Sequence, residues 1–111
     1  MIIATRVLTL RREGGDVEIP IRIFAPEESE IAPWICRFEI DWPDRKSEMY
    51  GAGEDAVQAL VIALQIIGVT IYNSEEHEGG KLGWLELGQG YGFPMTKGVR
   101  DLMVGQDRDF Y

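Results

Sequence analysis

"WICRFEID", Trp34 to Asp41, alternates without a break. Trp34, Cys36, Phe38 and Ile40 fall on one side of an extended chain, and Ile35, Arg37, Glu39 and Asp41 on the other. Period-two alternation predicts a half-buried strand. The residues after this strand decide the fold class. "WPDRKS" reads as a turn and "EMYG" as a short strand returning beside the first. Gly53-Glu54-Asp55 then places acids where a helix dipole is positive. The apolar run behind them predicts one long helix from about Glu54 to about Asn73.

Upstream, "VEIPIRIF" alternates with Val17, Ile19, Ile21 and Ile23 on one face, and Ile3 to Leu10 alternates more loosely. The glycine-rich turn Glu13 to Asp16 closes a hairpin between them. Pro20 has no N–H for a ladder, so the second strand is expected at an edge or at a bulge. "APEESEIAP" reads as a polar loop. Downstream, "SEEHEGGK" reads as a charged loop and "LGWLEL" as a further strand. "TKGVRDLMVG" spaces Val99, Leu102 and Met103 as a short helix stopped by Gly105, with "QDRDFY" as a polar tail. Strands grouped ahead of a helix predict a single α+β domain over residues 1–111. Its sheet is antiparallel, of roughly four to five strands, with the long helix packed on one face and a short C-terminal helix.

The composition agrees. A hydrophobic fraction of 45% against 27% charged supports a packed core rather than a disordered chain. One cysteine leaves no internal disulfide, and a cytoplasmic, reducing setting is the expectation. The start "MIIATRVLTLRR" has no basic region ahead of its apolar run, unlike a secretory signal. Ala56 to Tyr72 is interrupted by Gln58, Gln65 and Thr70 and lacks basic flanks, so a buried helix is expected and no membrane association. A net charge of −8 opposes nucleic acid and anionic lipid and suits simple solubility or a basic protein partner.

"LGQGYGFP", Leu87 to Pro94, raises the question of a phosphate loop. A dinucleotide fingerprint needs GxGxxG between a strand and a helix, whereas this spacing is GxGxG and Pro94 comes soon after. A P-loop would end in Gly-Lys-Ser/Thr, which is absent. The stretch is instead expected as a strand or loop whose glycines at 88, 90 and 92 admit something bulky, such as Trp84 or a helix. Tyr91 and Phe93 then form a candidate binding surface on the other side.

No catalytic set emerges. His77 stands among Glu75, Glu76 and Glu78, but consecutive residues on one loop cannot all converge on a metal. Cys36 shares a face with Trp34 and Phe38 and reads as a small core hydrophobe. No cofactor is expected. The long helix carries the anomaly. At about 100° per residue, Val57, Leu60, Val61, Leu64, Gly68, Ile71 and Tyr72 form one stripe, assigned to the sheet. Ile62, Ile66 and Val69 fall almost opposite. That second stripe is either an interface or is covered by the chain from Gly88 onward.

"WICRFEI", "MYGAGEDAVQALVIALQIIGVTIY", "KLGWLELGQGYGFP" and "GVRDLMVG" together resemble a family of small uncharacterised bacterial proteins, a domain of unknown function. The resemblance spans roughly Trp34 to Gly105. It implies a bacterial cytosolic source and the same α+β fold, and it carries over no catalytic residue. The "QAL" helix after a Trp-x-Cys strand is also similar to helices of some toxin-neutralising immunity proteins. The expected function is a non-catalytic interaction module that forms a homo-oligomer through Ile62, Ile66 and Val69. One alternative is an immunity-type inhibitor of a basic toxin. Another is a small enzyme using Cys36 or the Glu75–Glu78 loop.

Overall fold

The computed structural model describes residues 1–95 and 103–110. In chain order the strands are β1 (Ile2–Leu10), β2 (Val17–Phe24), β3 (Glu27–Glu28), β4 (Trp34–Asp41) and β5 (Lys46–Gly53). Helices α1 (Ala56–Tyr72) and α2 (Glu75–Glu78) come next, then β6 (Leu82–Trp84), β7 (Glu86–Leu87) and α3 (Gly105–Phe110). The fold is α+β: every strand pairing is antiparallel and α1 packs on one face of the sheet.

The sheet runs β3-β4-β2-β1-β6-β7, with β5 on the other side of β4. β3 prolongs the course of β2 along one edge of β4. From Ile23↔Phe38 to Glu27↔Ile35, the chain advances four residues against three on β4. The polar loop read at 25–33 therefore contributes this two-residue strand. Ile35, expected on the wet face, is fully buried there between its cross-strand neighbours Glu27 and Ala52. β2 lies inside the sheet, not at an edge. Its proline lies beyond the β2–β4 ladder, which runs only from Ile21 to Ile23, and is paired with Val7 on the β1 side alone, so no β4 bond is lost to the missing N–H. The short return strand read at "EMYG" extends over all of Lys46–Gly53.

Asp55 caps α1, its carboxylate accepting from Gln58 N–H at 2.8 Å, while the Gln58 side chain accepts from Glu54 N–H at 2.7 Å. The face α1 turns to the sheet is Ala59, Ala63, Ile67 and Ile71, all fully buried. This corrects the stripe assigned from hydrophobicity: Val57 is 69% exposed and Val61 41%. The reason lies in β5. A β-carbon at Gly51 would sit 2.7 Å from the Ala59 carbonyl oxygen and 2.8 Å from Ala63 Cα. One at Gly53 would sit 2.5 Å from Ala59 N. Helix backbone lies directly on strand backbone, and only alanine fits between them.

"LGWLEL" is not one strand. Leu85, at φ 63°, reverses the chain so that Trp84 pairs with Glu86, making β6 and β7 a tight hairpin. The charged loop at 75–78 coils into α2, with Ser74 as its cap. The helix expected at "TKGVRDLMVG" falls on residues 96–102, Val99 and Leu102 included, which lie outside the described residues. Gly105 opens α3 rather than ending a helix, and Met103 is buried in the core.

Candidate functional site

The glycine stretch forms no strand. Gly88, Gly90 and Gly92 have φ of 83°, 87° and 77°, a left-handed region open to glycine at little steric cost. The loop wraps around a buried carboxylate. Asp107, in the first turn of α3, is 2% exposed. Its Oδ2 accepts from Tyr91 N–H at 2.8 Å and from the Tyr72 hydroxyl at 2.8 Å. Its Oδ1 accepts from Gly92 N–H at 2.7 Å. The Tyr72 hydroxyl in turn accepts from Val104 N–H at 3.2 Å. Gly90 is where the carboxylate presses closest, since a β-carbon there would lie 2.7 Å from Oδ1.

The loop is held from behind by Arg6 of β1. Its guanidinium donates to the Tyr91 carbonyl at 3.1 Å and the Gly92 carbonyl at 2.8 Å. It also lies 3.9 Å from the Trp84 ring centre and 4.7 Å from that of Phe93. The peptide joining Tyr91 and Gly92 thus accepts from a cation at its carbonyl and donates to an anion at its N–H, an alignment in which each bond polarises the other. Trp84 packs against bare Gly92, as expected for the glycine face.

Tyr91 and Phe93, expected at a binding surface, are each 3% exposed and belong to the core. Positive φ at alternate residues breaks the strand alternation that would have turned them outward. Burial pushes both the Tyr72 and Tyr91 hydroxyls well above the ordinary tyrosine range, with Asp107 adding to the effect. Both stay protonated at neutral pH. Tyr72, Tyr91 and His77 meet edge-on in a cluster, and His77 Nδ1 shares a hydrogen bond with the Tyr91 hydroxyl.

Burial lowers the His77 pKa from its ordinary value, which makes stability depend on pH. The folded state takes up a proton on His77 only at a lower pH than the unfolded chain, which takes one up near pH 6.5. The contribution of His77 is therefore complete above that pH and is lost as pH falls below it, towards the folded pKa. The slope is bounded by one proton, about 1.4 kcal/mol per pH unit. Urea midpoints measured from pH 7 to 5 should fall for the parent and stay flatter in His77→Gln. Equal slopes would show that His77 is not the titrating group. Glu76, lowered by its hydrogen bonds to Arg45, is lost only below the ordinary carboxylate range and outside this window.

Cys36 is fully buried, its Sγ donates to the Phe24 carbonyl at 3.3 Å, and burial raises its pKa. His77 bonds Tyr91 and no hydrogen bond joins the two, so the structure does not assemble a cysteine–histidine pair. Glu76 is held by Arg45 through two bonds of 3.0 Å, so the Glu75–Glu78 turn does not converge on a point. Among the described residues no group of three or more histidine, cysteine or acidic side chains is placed to hold a metal. Also among them, no helix is long and apolar enough to cross a membrane. Ile62, Ile66 and Val69 are each partly buried, with Ile66 and Val69 packed against the core.

Asp107 is not marked by the sequence. It sits in a polar tail, one of 19 acids, and nothing in its spacing sets it apart. The glycines at 88, 90 and 92 are the visible half of the site. Comparison with curated proteins found no match, and comparison with solved structures found none either. Residues 4–95 match a family profile that covers most of β1, all of β2 to β7 and the Tyr72, Tyr91 and Gly92 donors to the Asp107 carboxylate, and the chain therefore belongs to the family of a domain of unknown function, DUF6968.

Proposed function

We propose that this protein is a non-catalytic interaction module that self-associates through the outer face of α1, in the bacterial cytosolic setting that the family resemblance implies. The observation that carries this is the chemistry of α1. Its 17 residues include no charged side chain, in a chain of net charge −8. Its polar side chains are mostly turned back on the protein. Gln58 caps the N-terminus, Thr70 donates to the Ile66 carbonyl at 2.7 Å, and Tyr72 reaches Asp107. By helical spacing, Val57, Val61 and Gln65 surround the direction opposite Ala59, Ala63 and Ile67, with Ile62 beside them. Farther along the same side Gly68 and Tyr72 are buried, Gly68 against Phe93, Pro94 and Met95, so the open part of this face is the N-terminal half of α1. Apolar side chains on the outward face of a surface helix are the usual mark of a partner.

The partner this surface fits is a second copy. Acidic surfaces repel each other, and α1 is a charge-free strip on which two copies can meet about a twofold axis. The centre of the contact is Val61 and Ile62. Ile66, more to the side and packed on the core, is a flanking member.

Light scattering at high micromolar concentration should give a dimer for the parent and a monomer for Val61→Glu. The half-exposed position lets the variant fold, and its dimer should be weakened at least about tenfold, or about 1.4 kcal/mol. A monomeric parent would refute self-association. A dimeric Val61→Glu would place the interface elsewhere.

A further inference from the structure

Three donors converge on one carboxylate, and all of them come from the family-matched stretch 4–95: Tyr72 O–H, Tyr91 N–H and Gly92 N–H. The carboxylate itself, on Asp107, comes from beyond that stretch. Features of the matched stretch set the donors in place. Tyr72 is fixed at the end of α1, the loop is shaped by left-handed glycines, and Arg6 grips the carbonyls of Tyr91 and Gly92. Consecutive N–H groups in such a loop form an anion-binding concavity, and a hydroxyl beside them completes a site for a planar carboxylate. Gly90 leaves room for that carboxylate where any side chain would fill it.

We infer that the Gly88–Gly92 loop and Tyr72 form a carboxylate-binding site of the 4–95 domain, which this chain fills with its own Asp107, and that the ligand class is an acidic peptide segment. The contacts beside the carboxylate argue for a peptide over a small anion. Gln106 N–H donates to the Gln89 carbonyl at 3.2 Å, and Gly105 lies against Gln89 so closely that a β-carbon would be 2.6 Å from its Oε1. Met103 is 2% exposed and anchored in the core. The site therefore reads backbone at two positions, an apolar side chain, and an aspartate four residues after it. The chain's own segment is a tethered occupant, and an untethered segment of the same pattern takes its place when Asp107 is removed.

The test uses the full-length chain carrying Asp107→Ala and a labelled peptide of sequence Met-Val-Gly-Gln-Asp-Arg-Asp-Phe, that of residues 103–110. Fluorescence anisotropy should show binding to Asp107→Ala and at least about tenfold weaker binding to the parent, whose site is occupied. Changing the first aspartate of the peptide to asparagine should weaken binding to Asp107→Ala by at least about tenfold. In NMR spectra of Asp107→Ala, the amides of Tyr91 and Gly92 should shift on addition of the original peptide. No binding by the folded variant, or equal binding of the asparagine peptide, overturns the inference. If Asp107→Ala does not fold, hydrogen exchange of the parent decides. Tyr91 and Gly92 amides that open while α1 and β4 stay protected support a separable occupant. Exchange of all of them only through global unfolding overturns it.

Discussion

Gly51→Val is expected to cost about 3 kcal/mol or more, although valine is among the best strand residues and glycine among the worst. Two effects of opposite sign compete at this position. Strand propensity favours valine by at most about 1 kcal/mol. Against it stands the approach of α1, which leaves 2.7 Å between a β-carbon at Gly51 and the Ala59 carbonyl, and 2.8 Å to Ala63 Cα. Those neighbours are helix backbone and cannot rotate away as a side chain end would. The helix must lift, and lifting it uncovers Ala59, Ala63 and Ile67, which are fully buried in the parent. Overpacking alone commonly costs about 1–3 kcal/mol, and the lost burial adds to it. Ala52→Val, one residue along on the other face and exposed, should stay within about 0.5 kcal/mol of the parent. Urea unfolding monitored by circular dichroism measures both. A Gly51→Val protein as stable as the parent would mean that α1 does not rest on β5 in this way.

The same contact shows where the sequence is legible and where it is not. The bounds of β4 are readable to the residue because its alternation reports which face of a strand is dry; the exception is Ile35, buried on the other face between β3 and β5. The existence and span of α1 are readable for a similar reason. Its orientation is not. Ranking side chains by hydrophobicity puts Val57 and Val61 inside, whereas the close approach to Gly51 and Gly53 selects the smallest residues, Ala59 and Ala63. The signal is present as two glycines at alternate strand positions and two alanines four apart on the next helix. It speaks of distance rather than hydrophobicity. Asp107 is illegible for another reason: one carboxylate in an acidic chain carries no pattern, and its meaning comes only from the donors that fold around it. The spacing of the glycine stretch separates it from a phosphate fingerprint, but the sign of φ at each glycine is invisible in one sequence. Without it the loop can be taken for a strand, with Tyr91 and Phe93 turned the wrong way.

The three glycines of that loop should respond very differently to alanine, although they look alike in the sequence. At Gly88 the cost is conformational alone. Its φ is 83° and nothing lies within 4 Å of an added β-carbon, so Gly88→Ala should lose about 1–2 kcal/mol, the usual penalty for a left-handed alanine. Gly90 has the same backbone penalty at φ 87°, and an added β-carbon would lie 2.7 Å from Asp107 Oδ1. The carboxylate must withdraw, weakening its bonds from Tyr91 N–H, Gly92 N–H and the Tyr72 hydroxyl. Hydrogen bonds to a charged group contribute about 1.5–3 kcal/mol each, and buried donors left behind carry their own penalty. Even partial loss brings Gly90→Ala to about 3–4 kcal/mol. Gly92→Ala should fall between the two. Its β-carbon would press closest on the Trp84 ring, at Cζ3, and would meet Arg6 Nη1 at 2.8 Å; both are side-chain ends of partly exposed residues, which can shift where a buried carboxylate pinned by three bonds cannot. The order of denaturant midpoints should therefore be Gly88→Ala, Gly92→Ala, Gly90→Ala, from most to least stable. Asp107→Asn in the Gly90→Ala background supplies the decisive comparison. If the crowding of the carboxylate is the cause, the two changes disrupt the same bonds and their combined cost should fall well short of additive. Fully additive costs would mean that Gly90 is required for its backbone conformation alone.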